Sequence, residues 1–312
     1  MILVTGGTGF IGRNLVRQLV ENGYPVRLLL KPSLKTPKVP VGIPVEVAVT
    51  SINDERGLKA AMRGVDGIFH LAGGEGLGTR ADLEKVDVDG TQSLVNAAVS
   101  SNVKKFFYLS HLGADRASGF PILKAKGLAE EHIRGSGLTY TIIRSSIVFG
   151  PQDGFSTGLG LLIHTSPGFL PIPSSGKTLL QPLWVEDLVT CMLWAMDIPD
   201  LINKTIEIGG SEYLSIEQIV RTIMETINKK RKLVFLPNPY MRAITILAEY
   251  LLPGFPSTVF WLDYLAVNRT CAVDSVPRYF DLMPARFSNR LQHLQGVNWN
   301  KLLFNRIFNR TI

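Results

Sequence analysis

The sequence predicts an α/β protein: a doubly wound parallel sheet, then a smaller and mostly helical C-terminal region. Three observations predict it. The chain opens on a short apolar strand that runs into a glycine-rich turn and a helix. Apolar strands and amphipathic helices then alternate to about residue 145. After Phe149-Gly150-Pro151 the texture changes and Gly and Pro cluster as far as Gly176, which reads as loops over a cleft.

The opening element is MILVTGGTGFIGR, residues 1–13. Ile2 to Thr5 reads as a buried strand. Gly6 permits a tight turn out of it. Gly9 lets backbone approach a diphosphate with no side chain in the way. Gly12 lets the helix sit close on the strand. The helix has an apolar stripe at Ile11, Leu15, Val16, Leu19 and Val20 and ends at Gly23. Its first-turn amides are unpaired donors at a positive helix end, so an anion binds there readily.

The next elements follow in order. Strands are expected at Pro25–Leu30, Val45–Val49, Gly67–Leu71, Lys104–Ser110 and Tyr140–Arg144. Helices are expected at Asn53–Arg63, Leu83–Ser101 and Ile122–Ser136. Near-continuous apolar strands mean that both sheet faces are covered, and the alternation implies parallel, right-handed crossovers. Further on, Trp184–Met196 reads as a helix and Lys204–Ile208 as a strand returning to the sheet. Ser215 and Gln218 form a capping box before the stripe Ile219, Val220, Ile223 and Ile227. Tyr240–Leu252 and Ser257–Val267 read as helices with wide apolar faces. The expected division is a dinucleotide-binding domain over 1–150, completed by about 185–210. Residues 151–184 and 211–312 then form a cleft, lid and partner-facing region.

Composition narrows the class. With 312 residues, 46% apolar and 19% charged, the chain can bury a large core. Cys191 and Cys271 are far apart and form no C-x-x-C pair, which fits a reducing compartment. The five histidines have no ligand spacing, so no metal site is expected. No nucleic-acid motif occurs. The first strand starts directly after Met1, so no cleavable leader is expected. The most apolar stretch, Ile244–Val267, is too interrupted to span a bilayer. Net charge is +7, and no acid follows Leu282, against Arg286, Arg290, Lys301, Arg306 and Arg310. Such a region is either a solvated face or a contact for a protein partner or membrane surface. The expected location is the cytoplasm or an organelle stroma or matrix, with peripheral membrane attachment as an option.

Several motifs occur in a fixed order: TGGTGFIG at 5–12, HLAG at 70–73, VDVDGT at 86–91, FYLS at 107–110, KAKGLAEEHIRGSGLTYTIIRSS at 124–146, VFGPQDG at 148–154 and QPLWVEDLV at 181–189. This run resembles the extended and atypical short-chain dehydrogenase/reductases, the epimerase/dehydratase-like group. The resemblance covers about the first 210 residues. VPRYFDLMP at 276–284 looks most like the branch of the nucleotide-binding accessory subunit of respiratory complex I, close to photosystem-assembly relatives. It implies a Rossmann sheet that binds NAD or NADP. It also implies cofactor contacts from Gly6, Thr8, Gly9, Phe10, Ile11, Gly12, Arg13, Lys31, Ser51, Ile52, Leu71, Ala72, Gly73, Ser110, Lys126, Ser145 and Ile147.

Active members of that superfamily use a Tyr, a Lys four residues later and a Ser on the preceding strand. The Lys cation lowers the phenol pKa, so the Tyr passes a proton while the Ser orients a carbonyl. Here the Lys position is Lys126, but four residues before it stands Ile122, which transfers no proton. The Ser position falls on His111, with Ser110 one place earlier. Tyr108 and Tyr140 lie outside the frame. Three readings stay open: Lys126 holds only the nicotinamide ribose; Lys126 or His111 supplies the proton; or an irregular loop at Gly113–Phe120 shifts the register. The first makes the chain a non-catalytic nucleotide-binding or assembly subunit of a membrane redox complex. The second makes it a reductase, with a small-molecule or quinone-like substrate.

NAD-preferring sites place an acid at the end of the second strand, on the ribose 2′-hydroxyl. No acid occurs between Glu21 and Glu46, whereas Lys31, Lys35 and Lys38 follow that strand and Arg13 follows the third motif glycine. Arg13 and Lys31 suit a doubly negative 2′-phosphate, so NADP(H) is expected over NAD(H). The Asp usually found after the third strand is missing from Val49-Thr50-Ser51-Ile52; Ser51 is left as a weaker acceptor for the adenine.

Overall fold

The computed structural model describes residues 1–33, 39, 42–252 and 255–308. Lys35, Lys38 and Arg310 lie outside the described residues. The chain divides into two compact units. The first comprises Met1–Glu75, Asp82–Ser145 and Val185–Ile208, and the second Gly76–Ala81, Ser146–Trp184 and Gly209–Ile312.

The first unit is built on seven parallel strands: β1 Ile2–Thr5, β2 Val26–Leu30, β3 Glu46–Val49, β4 Gly67–His70, β5 Lys105–His111, β6 Tyr140–Ser145 and β7 Lys204–Ile208. Their spatial order is β3-β2-β1-β4-β5-β6-β7. Connections therefore run one way from β1 to β3 and the other way from β4 onward, which opens a crevice beyond the ends of β1 and β4. The helices of the crossovers are α1 Phe10–Glu21, α2 Glu55–Ala61, α3 Gly90–Ser100 and α4 Pro121–Arg134. In α1 the buried residues are Gly12, Leu15, Val16 and Leu19. The helix stops where Gly23 turns left-handed at φ +80°. One sheet face carries Leu3, Ile68, Phe106, Tyr108 and Ile142 against Leu58 and Met62, Leu94 and Ala98 of α3, and Ala129 and Ile133 of α4.

Two expectations change in detail. The single helix expected over Leu83–Ser101 begins as a wide π-helical turn, Glu84–Asp89, before α3. That turn carries Asp87 into the interior, 1% exposed. The Gly/Pro-rich stretch Gly150–Gly176 is not all loop, because Ser156–Thr165 is a helix. Its glycines are there for close packing: a Cβ on Gly160 would stand 2.4 Å from Trp299, and one on Gly158 3.1 Å from the Pro256 carbonyl.

The second unit has its own core, with Phe149, Phe155, Leu161, Ile219, Val220, Ile223, Phe287, Leu294 and Trp299 all buried. Among the described residues it is mostly helical, as expected, and also holds three two-stranded pairs. The Ser215/Gln218 capping box forms, and the helix Ile216–Thr226 buries Ile219, Val220 and Ile223. Asp153 accepts from the amides of Gly150, Ser156 and Thr157 and from the Ser156 hydroxyl, closing the start of the Ser156–Thr165 helix. The basic C-terminal stretch is folded into this unit: Phe287, Leu291, Leu294 and Trp299 anchor it, while Arg286, Arg290 and Lys301 stay at the surface.

Candidate active site

The glycine loop lies in the crevice at the end of β1. Gly6 has φ +69°, and a Cβ there would sit 2.7 Å from the Leu71 carbonyl carbon. Gly12 is tighter still, since a Cβ would come within 2.2 Å of the Gly6 oxygen. Only glycine fits either position. Gly9 precedes α1 and is exposed. No side chain caps α1 and no acid stands in its first turn. The amides of Phe10, Ile11 and Gly12 are therefore donors without an intrahelical acceptor, at the positive end of the helix. Thr8 is half-buried in the same loop.

Around the loop, Leu71 and Ala72 are half-buried at the end of β4, and Gly73 is exposed. Arg13 is half-buried on α1 and Lys31 is exposed just past β2. Neither makes an ion pair among the described residues. Past β3, the Ser51 hydroxyl accepts from the Asn53 amide at 3.3 Å, and Ile52 packs against Gly90. The nearby Asp54 is committed to capping α2 through the Gly57 amide.

Lys126 is 3% exposed, and α4 sets Ile122 one turn before it. Its Nζ pairs with Asp87 Oδ1 at 3.1 Å and lies 5.4 Å from the Tyr108 ring centroid. Asp87 also accepts from the Gly74 amide at 2.8 Å. A Cβ on Gly73 would stand 3.0 Å from Asp87 Oδ1, 3.1 Å from Lys126 Nζ and 3.7 Å from Glu75 Oε2. One cation and two carboxylates thus converge beside bare backbone. Burial opposes the Lys126 charge, but the carboxylates of Asp87 and Glu75 favour it, and its pKa is raised. Burial likewise pushes the Tyr108 phenol up, so it stays neutral. Its hydroxyl has no hydrogen-bond partner among the described residues.

A buried hydrogen-bonded chain ties this cluster to the glycine loop. The Thr5 hydroxyl receives the amides of Leu71 and Ala72, so its own proton goes to His70 Nδ1 at 2.7 Å. The Thr91 hydroxyl gives its proton to the Asp87 carbonyl, so it must accept from His70 Nε2 at 2.8 Å. These partners fix one neutral tautomer of His70. Burial, and then the Lys126 charge, hold its pKa down at about 3.

The remaining candidates are placed differently. His111 is half-buried and its Nε2 meets Glu75 Oε2 at 2.9 Å. Ser110 donates to Glu130 Oε1 at 2.7 Å, in a network where Glu130 also holds Arg134 and Arg144. Its hydroxyl serves that buried network. Ser145 is buried at the end of β6, while Ile147 is buried in the second unit. Sequence reasoning passed over Thr5, His70, Glu75, Asp87, Thr91 and Glu130. Asp87 stood inside the VDVDGT motif, and an acid on an otherwise apolar helix face was the available signal.

Residues 6–160 match the family model described as NAD(P)H-binding. The chain is 26% identical over 292 residues to the mitochondrial NADH dehydrogenase [ubiquinone] 1 alpha subcomplex subunit 9 of Arabidopsis thaliana, covering 89% of this chain and 72% of that one. The chain therefore carries an NAD(P)-binding domain and is similar to the atypical short-chain dehydrogenase/reductases. This short-chain dehydrogenase/reductase-like chain is also 27% identical over 241 residues to the ceramide reductase of Caulobacter vibrioides, covering 77% of this chain and 74% of the relative. Its fold matches UDP-glucose 4-epimerase of Thermotoga maritima with a TM-score of 0.73 at 22% identity, covering 97% of this chain and 99% of the other. A relative from the accessory-subunit branch implied by the motif run is therefore among the similar proteins. No helix of the described residues is long and apolar enough to cross a membrane.

Proposed function

We propose that this chain binds NADP(H) in preference to NAD(H) and works as an atypical reductase. The glycine cradle and uncapped α1 amides fit a diphosphate, with Gly6, Gly9 and Gly12 keeping side chains out of its way. The preference is supported by two cations, Arg13 on α1 and Lys31 just past β2, which make no ion pair among the described residues and would flank the ribose, and by the lack of any acid between Glu21 and Glu46. Ser51 and Ile52 would line the adenine, and Leu71, Ala72 and Gly73 the opposite wall. NADPH, when bound, supplies a hydride. Lys126, kept cationic by Asp87 and Glu75, would hold the nicotinamide ribose hydroxyls rather than release a proton. The His111–Glu75 pair is then the proton source.

A second reading has its own support. Ile122 replaces the Tyr, and a similar chain is named as an NADH dehydrogenase subunit. On that reading the chain binds nucleotide without turnover, as a structural or assembly component of a membrane redox complex. Two measurements separate these claims. Fluorescence titration should give tighter binding of NADPH than NADH, with the preference lost in Arg13→Ala/Lys31→Ala; NADH winning would remove the NADP(H) assignment. A carbonyl-substrate screen should give turnover that His111→Ala abolishes. Failure to turn over any substrate while NADPH binds would favour the non-catalytic reading.

A further inference from the structure

We infer that the outer face of the Asn238–Leu251 helix, together with the basic run Lys229–Lys232, docks on an anionic phospholipid surface. The helix is inside-out for a surface helix. It buries only Met241 and Thr245. Tyr240, Ile244, Leu247 and Leu251, spaced i, i+4, i+7 and i+11, are 66%, 47%, 58% and 61% exposed. Tyr250 beside them is 81% exposed. Both charged residues of the helix are engaged elsewhere: Arg242 pairs with Asp263, and Glu249 accepts from Thr79 and the Val259 amide. The exposed stripe is therefore uncharged, aliphatic and edged with Tyr, which is the pattern of a helix lying in a membrane interface.

Charge selects the occupant. From Thr226 to Ala248 the chain has no acidic residue, against Lys229, Lys230, Arg231, Lys232 and Arg242. Lys229, Lys230 and Lys232 are exposed and make no ion pair among the described residues. The strand Lys232–Leu236 runs straight into the helix through Pro237, and Lys232 stands in register with the exposed Phe169. Unpaired lysines at the start of the strand that leads into an aliphatic and aromatic helix face suit anionic headgroups over acyl chains. The helix has 14 residues, and no helix of the described residues is long and apolar enough to cross, so the contact lies on the surface.

The test is flotation of the full chain with two vesicle preparations, phosphatidylcholine alone and phosphatidylcholine with phosphatidylglycerol. The chain should float with the anionic vesicles and release as salt rises. Each lysine near the surface contributes roughly fivefold, so Lys229→Gln/Lys230→Gln/Lys232→Gln should lower partitioning about a hundredfold. Ile244→Glu/Leu247→Glu should abolish it with no fall in melting temperature, because both side chains are exposed. As an independent readout, Tyr250→Trp should shift its emission to the blue on anionic vesicles only. Absence of flotation, or flotation indifferent to lipid charge and to both variant sets, would overturn the proposal. So would a dimer that Leu247→Glu splits while vesicles go unbound, since the face would then meet a second copy. None of these results depends on nucleotide binding.

Discussion

Replacing Asp87 by Asn leaves Lys126 buried beside a neutral amide. The substitution keeps the shape of the side chain and an oxygen to accept the Gly74 amide, so it isolates the charge. The Lys126 and Asp87 side chains are 4% and 0% exposed. Removing one partner of such a pair costs about 3–5 kcal/mol, because the survivor stays desolvated. Glu75 remains near Lys126, which places the expected loss at the low end, about 3 kcal/mol. The assay is urea unfolding followed by circular dichroism, with Lys126→Met and the double variant completing a cycle. Each single change should destabilise strongly, and the pair together should cost less than the sum by about 2 kcal/mol. A single-variant loss below about 1 kcal/mol, or additivity within about 0.5 kcal/mol, would refute a buried and mutually dependent ion pair.

Stability should also fall steeply in mild acid because of His70. Its folded pKa is about 3 against an ordinary 6.5, so as pH drops the unfolded chain takes up the proton first. The stabilisation from this group is full above pH 6.5 and shrinks by about 1.4 kcal/mol per pH unit between 6.5 and 3. Urea midpoints across that range should fall less steeply in His70→Gln; equal slopes would contradict the buried neutral imidazole. Asp153→Ala removes four hydrogen-bond acceptances at once and should cost about 2–4 kcal/mol by thermal unfolding. A loss under about 1 kcal/mol would deny it the capping role. Gly12→Ala should lose dinucleotide binding, as its methyl group would stand 2.2 Å from the Gly6 oxygen; unchanged affinity would show that the loop adapts freely.

The parallel sheet was legible because its signals are local. A β-branched strand, glycines at fixed offsets and a 3.6-residue stripe each report one element, and the alternation then restricts the topology. Ile122 and Lys126 stand four residues apart on one helix, so their spacing could be read directly. The ion pair of Lys126 with Asp87 could not be read so. It joins residues 39 apart, and Asp87 sits on the wide π-helical turn Glu84–Asp89. Ser110 shows the same limit: the strand motif located it, but its partner Glu130 arrives from another element. The Ser156–Thr165 helix was hidden because its glycines, which read locally as loop, answer to Trp299 and Pro256 much later in the chain. The outward stripe of Asn238–Leu251 had the periodicity of a core helix, and only exposure tells which way it faces.

On the proposed function, the turn between β1 and α1 holds the diphosphate of a pyridine dinucleotide on its backbone amides. Calorimetric titration of the chain with NADPH, run beside Gly12→Ala, measures that contact. Saturable binding at one nucleotide per chain, absent from a folded Gly12→Ala variant, is the predicted result. No heat and no thermal shift at saturating NADPH or NADH would contradict the claim.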